Sequence, residues 1–262
     1  MVNDMEKLPE MFRYTRPEIP KDCVHSISPS QINNFFAYPK VWYEDNMLDG
    51  EKAFQGNTAT VTGTIAHHIY KSVTLGKPVT REEINEQLML YAQLRPELNL
   101  DTNQIMIDYP LVTGEVVNSY VLPHDKQGGL LKVEEPVVAN VMPGIYVGGT
   151  YDRLEGDCIV DYKTVATKPR EDAIPFNYKI QLLAYAFALR ATGHEVNRIR
   201  LVYGVKPTVK LPARCIVVTE TIDYVAEKLI SDTLKLIGES VLAVLENPSL
   251  TYLIFKSMDL KQ

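Results

Sequence analysis

The chain has 262 residues, a formal charge of −6 from 27 Lys+Arg and 33 Asp+Glu, and 45% hydrophobic residues. That length and apolar content support a full buried core and exclude a disordered chain, and the acidic total excludes a protein that coats nucleic acid by charge alone. The three cysteines, Cys23, Cys158 and Cys215, are too few for a disulfide framework, a four-cysteine zinc site or an iron–sulfur cluster, and they fit a reducing cytoplasm.

No run approaches the roughly 20 apolar residues of a membrane span, so no membrane partner is expected. The opening residues MVNDMEKLPEMFRYTRPEIP lack the apolar core and cleavage site of a signal peptide. Residues 1–25 read as a mobile or surface-draped arm. Ser28 or Ser30 caps a short helix carrying Ile32, Phe35 and Phe36, which Tyr38-Pro39 interrupts before Val41-Trp42-Tyr43. Residues 44–60 read as a loop with Gly50 and Gly56. A helix from Val61 to about Gly76 places Ile65, His68, Ile69 and Val73 at helical spacing. Thr80 and Glu83 form a capping box for a helix with Ile84, Leu88 and Tyr91 on its apolar face. A further helix is expected over 101–121.

The pattern then turns to strands at 130–141, 145–154 and 158–162, separated by Pro143-Gly144 and Gly156-Asp157. A helix over 172–191, strands at 199–205 and 214–219, and a long helix over 221–245 complete an α/β chain with a mixed sheet. The expected organisation is an arm (1–25), a helical part (26–128) and an α/β core (129–262) within one domain. Between Lys163 and Arg214 stand ten basic and three acidic residues. Such a segment can meet a polyanion locally, or it can be a set of solvated faces.

The most informative stretch is GGTYDRLEGDCIVDYKT, residues 148–164. A two-residue Gly156-Asp157 turn pairs Glu155 with Cys158, Arg153 with Val160 and Asp152 with Asp161. Directly opposed residues bring Cβ atoms to about 4.5–5.5 Å, so two carboxylates would repel unless a cation lay between them. An oxygen-rich site of that kind suits Mg²⁺ or Mn²⁺. Lys163 lies two residues beyond Asp161 and projects from the same face, while Tyr162 points the other way. On the following helix Tyr178, Gln181 and Tyr185 share one face. That face suits phosphate or base contacts, or two half-buried tyrosines against the sheet. His67 follows Gly63 by four residues, and Gly63 permits close approach of another segment.

These pieces together resemble the RecB-like branch of the PD-(D/E)XK nucleases, over about residues 26–205. That branch includes the RecB nuclease domain, CRISPR adaptation nucleases, mitochondrial genome-maintenance exonucleases and many phage exonucleases. The carriers are the opening Ser26-Ile-Ser28-Pro-Ser30 to Phe35-Phe36-Ala-Tyr38-Pro39, then Gly63-Thr-Ile-Ala-His67 (G-x-x-x-H), Gly149-Thr-Tyr-Asp152-Arg153 (G-x-x-D-R), Asp161-Tyr162-Lys163-Thr164 (D-x-K-T) and Gln181-Leu-Leu-Ala-Tyr185 (Q-x-x-x-Y). The resemblance implies a restriction-endonuclease-like α/β core: a mixed central sheet flanked by helices, with a helical N-terminal elaboration. It implies that Asp152, Asp161, the Tyr162 carbonyl and His67 bind Mg²⁺ or Mn²⁺. Lys163 then positions or activates the attacking water, and Gln181 and Tyr185 order the site and touch the DNA phosphate. Glu134 matches the upstream acidic residue, with Glu135 as the competing register. Tyr38 stands where several relatives place a cluster cysteine, so no iron–sulfur cluster is expected.

The expected activity is metal-dependent hydrolysis of DNA, exonucleolytic rather than endonucleolytic, at ends or single strands. Replication, recombination or repair is the expected setting, with a partner protein from that machinery, in the cytoplasm of a bacterial or phage-infected cell. The alternative is a catalytically silent nucleic-acid-binding subunit. A weaker one is a phage or mobile-element protein that binds a host partner.

Overall fold

The structure is a computed structural model that describes residues 7–13, 15–48, 56–126 and 131–256. Gly50 and the rest of 49–55 lie outside the described residues. The first half is helical: α1 (Ile32–Ala37), α2 (Pro39–Met47), α3 (Thr58–Thr74), α4 (Arg81–Leu94), α5 (Thr102–Val116) and, after a π-turn at Val117–Val121, α6 (Leu122–Asp125). Pro39 starts a helix rather than ending one, because a first-turn proline has no N–H to leave unbonded. Helix α2 therefore runs into the stretch expected as loop. Asn57 caps α3 by accepting from the Thr60 N–H, and the Thr80–Glu83 capping box is present at α4.

The sheet comes from β1 (His25–Ile27), β2 (Leu131–Met142), β3 (Ile145–Glu155), β4 (Cys158–Val165), β5 (Arg198–Val205) and β6 (Arg214–Thr221). Helix α7 (Phe176–Ala191) joins β4 to β5, whose pairing is parallel, as a crossover connection requires. It starts at Phe176 rather than 172, because Pro175 is extended and the Ile174 N–H is drawn to Glu220. Helix α8 (Tyr224–Glu246), capped by Asp223, and the short α9 (Thr251–Phe255) follow.

β2 pairs antiparallel along the length of β3. The other edge of β3 is shared, with β1 parallel at Ile145–Val147 and β4 antiparallel at Arg153–Glu155. Between these two partners that edge is open, and the site lies there. The three-residue β1 is too short to show a sequence period.

One face of the sheet packs under α1, α2, α7 and α8, with Ile159, Leu201 and Tyr203 in that core. The opposite face packs Cys158, Val160, Tyr162 and Val202 against Ala66, Tyr70, Val116 and Tyr120 from the helical half. A third cluster ties α3, α4 and α5 together and takes in Met11 (3% exposed) and Phe12 (8%). Residues 7–13 are thus anchored, not draped: Phe12 stacks on Tyr91 with centroids 4.0 Å apart, and the Met11 N–H donates to Gln87. No helix among the described residues is long and apolar enough to cross a membrane.

Candidate active site

Strand alternation in β4 sorts the D-x-K-T residues cleanly. Ile159 belongs to the α7-side core and Cys158, Val160 and Tyr162 to the α3 side, so Asp161 and Lys163 face α7. Lys163 Nζ lies 2.9 Å from both Asp161 oxygens, donating to Oδ1. Gln181 on α7 donates its amide to the same Oδ1 at 3.1 Å. The Lys163 ammonium also stands 5.3 Å from the Tyr178 ring centroid.

β3 does not keep its alternation. Tyr151 packs in the α7-side core, yet Arg153, two residues on, lies 6.0 Å over the Tyr120 ring on the opposite side. The break falls on Asp152. Across the β2–β3 ladder, the paired positions Val133↔Arg153 and Glu135↔Tyr151 bracket Glu134, whose φ is +47. A left-handed conformation at a glutamate is strained, and such strain concentrates at functional positions. The hairpin register expected from Gly156-Asp157 holds for three rungs, Glu155↔Cys158, Leu154↔Ile159 and Arg153↔Val160. At the fourth, the Asp152 side chain takes over and Oδ2 accepts the Tyr162 N–H at 2.8 Å.

His67 reaches this break from α3. Its Nδ1 is 3.2 Å from Asp152 Oδ1 and its Nε2 is 3.0 Å from the Tyr162 carbonyl oxygen. His67 of α3, Asp152 of β3, and Asp161, the Tyr162 carbonyl and Lys163 of β4 are therefore brought together, with His67 and Tyr162 95 residues apart in the chain. Burial pushes the Asp161 carboxyl up to about 6, with Asp152 adding and Lys163 opposing. Burial would raise Asp152 as well, but His67 and Lys163 hold it below the ordinary range. Burial disfavours the His67 cation, yet Asp152 lifts its pKa to about 9.

The remaining candidates divide. Tyr185 is 7% exposed, and its hydroxyl donates to the Thr150 carbonyl at 2.9 Å, which fixes the strand leading into Asp152. A Cβ on Gly149 would come 2.9 Å from that hydroxyl oxygen, so glycine is required there. Glu134 shares a cavity of about 710 Å³ with His67 and Asp152 and is held by Lys71 at 2.9 Å. Glu135 is occupied by Lys132 (3.2 Å) and the Tyr151 hydroxyl (3.3 Å). Lys71 gave no signal of its own in the sequence; its place one turn after His67 was the available clue. Gly63 has no close neighbour, since a Cβ built there meets nothing within 4 Å. The close approach expected at Gly63 is therefore not made by any of the described residues.

Arg153 supports the site from behind. It is 1% exposed and bonds Glu155 (2.6 Å), Asp125 (2.8 Å) and Thr74 at the end of α3 (2.9 Å). Glu155 in turn accepts from Tyr120 and Arg200. The network joins the α3 terminus to the hairpin, which sets where His67 falls relative to Asp152.

Among the described residues no three His, Cys, Asp or Glu side chains already surround one point as a metal cluster. The donors are engaged with one another: His67 bridges Asp152 and the Tyr162 carbonyl, and Lys163 sits on Asp161. The set still suits a hard divalent cation. It offers two carboxylates, a carbonyl and one imidazole, and the buried Asp161 Oδ2 has the Lys163 ammonium as its neighbour at 2.9 Å.

The model of the PD-(D/E)XK nuclease superfamily matches residues 26–245. None of the curated proteins compared with the chain matches it. Among solved structures, a "Putative exonuclease" from Eubacterium rectale aligns with a TM-score of 0.52 at 15% identity, covering 84% of this chain and 81% of that one. Looser likenesses, which carry no argument, are SSO0001 (TM-score 0.38, 14% identity, 90% and 87% covered) and a phage related exonuclease from Haemophilus somnus 129PT (TM-score 0.31, 13% identity, 80% and 91% covered). At such identities a structural likeness speaks for the fold, and it agrees with the family match. With a mixed sheet, an acidic pair at a diverging hairpin and a lysine two residues on, the chain belongs to the PD-(D/E)XK nuclease superfamily.

Proposed function

We propose that the protein is a Mg²⁺- or Mn²⁺-dependent deoxyribonuclease that removes nucleotides from DNA ends or single strands during replication, recombination or repair. The observation that carries this reading is the meeting of Asp152, Asp161, His67 and Lys163 at one break in the sheet. Asp152, Asp161, His67 and the Tyr162 carbonyl would hold the cation, with Glu134 beside them in the same cavity. When bound, the cation polarises a phosphodiester oxygen and lowers the pKa of a coordinated water.

The chain's own groups do the rest. Gln181 holds Asp161 in place, and Asp161 with the Tyr178 ring limits where the Lys163 ammonium can go. From there Lys163 donates to the attacking water and keeps it in line with the phosphorus. The water oxygen bonds to phosphorus and releases a proton to solvent, the bond to the leaving oxygen breaks, and that oxygen takes up a proton from solvent. Tyr185 acts through Thr150 by fixing the backbone before Asp152.

The preference for ends rests on the N-terminal segment. Met11 and Phe12 are anchored among α3 and α4, while the Thr15 carbonyl accepts from Thr150, two residues before Asp152. Glu10, Met11, Arg13 and Thr15 thus wall one side of the cavity. A strand threaded by its end meets that wall more easily than a continuous duplex laid in from the side.

The test is digestion of single- and double-stranded DNA labelled at either end, with Mg²⁺, Mn²⁺ and EDTA compared. Stepwise shortening that EDTA and Asp161→Ala both stop supports the reading. No product from folded protein with either metal overturns it in favour of a silent binding subunit.

A further inference from the structure

The cavity-facing side of α3 reads Thr60, Gly63, Thr64, His67 and Lys71, with Gly63 one turn before the imidazole at the site. Gly63 lies inside the helix, away from both ends, and is not among the glycines with positive φ. A glycine in a helix interior is unfavourable relative to alanine. Packing among the described residues does not require it either, since a Cβ there would touch none of them within 4 Å. Gly149 and Gly204 differ: their Cβ atoms would fall 2.9 Å from Tyr185 Oη and 2.3 Å from Val112 Cγ1. What glycine does supply at 63 is room in the cavity that holds His67, Asp152 and Glu134.

We propose that Gly63 is where the sugar–phosphate backbone of the substrate strand crosses α3, making it a specificity-determining position for single-stranded DNA. This rests on the nuclease reading above. A strand in contact with the helix at Gly63 has its next phosphate directed at His67 and Asp152, with Lys71, paired with Glu134, one turn further on. Even a methyl group at 63 lifts the strand off the helix and away from the carboxylates.

The experiment compares wild type, Gly63→Ala, Gly63→Leu and the control Gly114→Ala. Gly114 is also helical and open, but it lies outside the cavity wall. The readouts are thermal melting, anisotropy of a fluorescein-labelled single-stranded oligonucleotide in EDTA, and cleavage kinetics with Mn²⁺. Both alanine variants are expected to melt about 2 °C higher. Only Gly63→Ala weakens binding, with KM rising about tenfold and kcat little changed, and Gly63→Leu weakens it further. Wild-type cleavage together with unchanged KM and binding in Gly63→Ala overturns the proposal and leaves the nuclease reading standing. A lower melting temperature in Gly63→Ala overturns it too, because the glycine would then serve packing. Wild type that neither binds nor cuts the oligonucleotide overturns the nuclease reading, and this inference with it.

Discussion

The Tyr162 N–H donates to the Asp152 carboxylate at 2.8 Å, in the place where the next backbone rung of the β3–β4 hairpin would otherwise fall. One carboxylate thereby ends a ladder and enters a site. Its second oxygen faces His67 at 3.2 Å, so the same residue that parts the strands receives the helix on the other side.

Asp161→Asn and Lys163→Ala are each expected to lower the cleavage rate by about 10²–10³-fold while leaving the fold intact. Both groups sit at the strand divergence rather than in the apolar core, although Asp161 is 4% exposed. Gln181→Leu removes one of two donors on Asp161 Oδ1 and should cost about tenfold. Circular dichroism together with end-labelled digestion checks all three, and full activity in purified Lys163→Ala would sink the assignment of that lysine.

Arg153 should be a stability residue. Arg153→Met takes the Arg153 cation from Asp125, while Glu155 keeps Arg200 and Tyr120, and should lower unfolding free energy by about 3 kcal/mol. Arg153→Lys should recover little, because one ammonium cannot reach Thr74, Asp125 and Glu155 together. Urea unfolding reads both variants, and a loss below about 1 kcal/mol for Arg153→Met would show the network to be dispensable.

Glu134 tests the strained backbone. With φ at +47, Glu134→Gly should be more stable than Glu134→Ala by about 1 kcal/mol, although both lose the carboxylate and its bond to Lys71. Thermal melting of the pair decides it, and equal melting temperatures would mean that the backbone relaxes freely.

Phe12 anchors the N-terminal wall. Phe12→Ala should cost about 3 kcal/mol through the cavity it leaves against Tyr91 and the α3–α4 core. A loosened wall should also let the enzyme open covalently closed single-stranded circles, which the wild type is expected to leave intact. A variant that melts lower but still spares circles would detach end preference from this segment.

Burial raises the phenol pKa of Tyr70, Tyr120 and Tyr162 above the ordinary value. Since the unfolded chain ionises first, the native state loses stability as pH rises beyond about 10, and the contribution is complete below that pH. Near-ultraviolet absorbance should show these three titrating only as the protein unfolds. Titration of all 15 tyrosines near the ordinary phenol value in folded protein would contradict their burial.

Local chemistry made much of the fold legible in the sequence. The Thr80–Glu83 box, the Gly156-Asp157 turn and the period-two pattern of β4 act between near neighbours, so they could be read before any packing was known. The same arithmetic placed Asp161 and Lys163 on one face and Tyr162 on the other. It could not foresee the lost alternation at Asp152, because that depends on Glu134 adopting a left-handed backbone across the ladder. Nor could it foresee β1, whose three residues gain their conformation from parallel pairing with Ile145–Val147. The anchoring of Met11 and Phe12 likewise comes from a core built by α3, α4 and α5.

The sequence by itself determined which groups are chemically able to act and the order in which the chain presents them, since side-chain type and short-range periodicity are properties of neighbouring residues. Only the tertiary structure decided that His67 meets a carboxylate and a carbonyl far along the chain, that Tyr185 is spent on Thr150, and that Glu134 rather than Glu135 shares the cavity. Those outcomes follow from packing two sheet faces at once, a constraint that no local window contains.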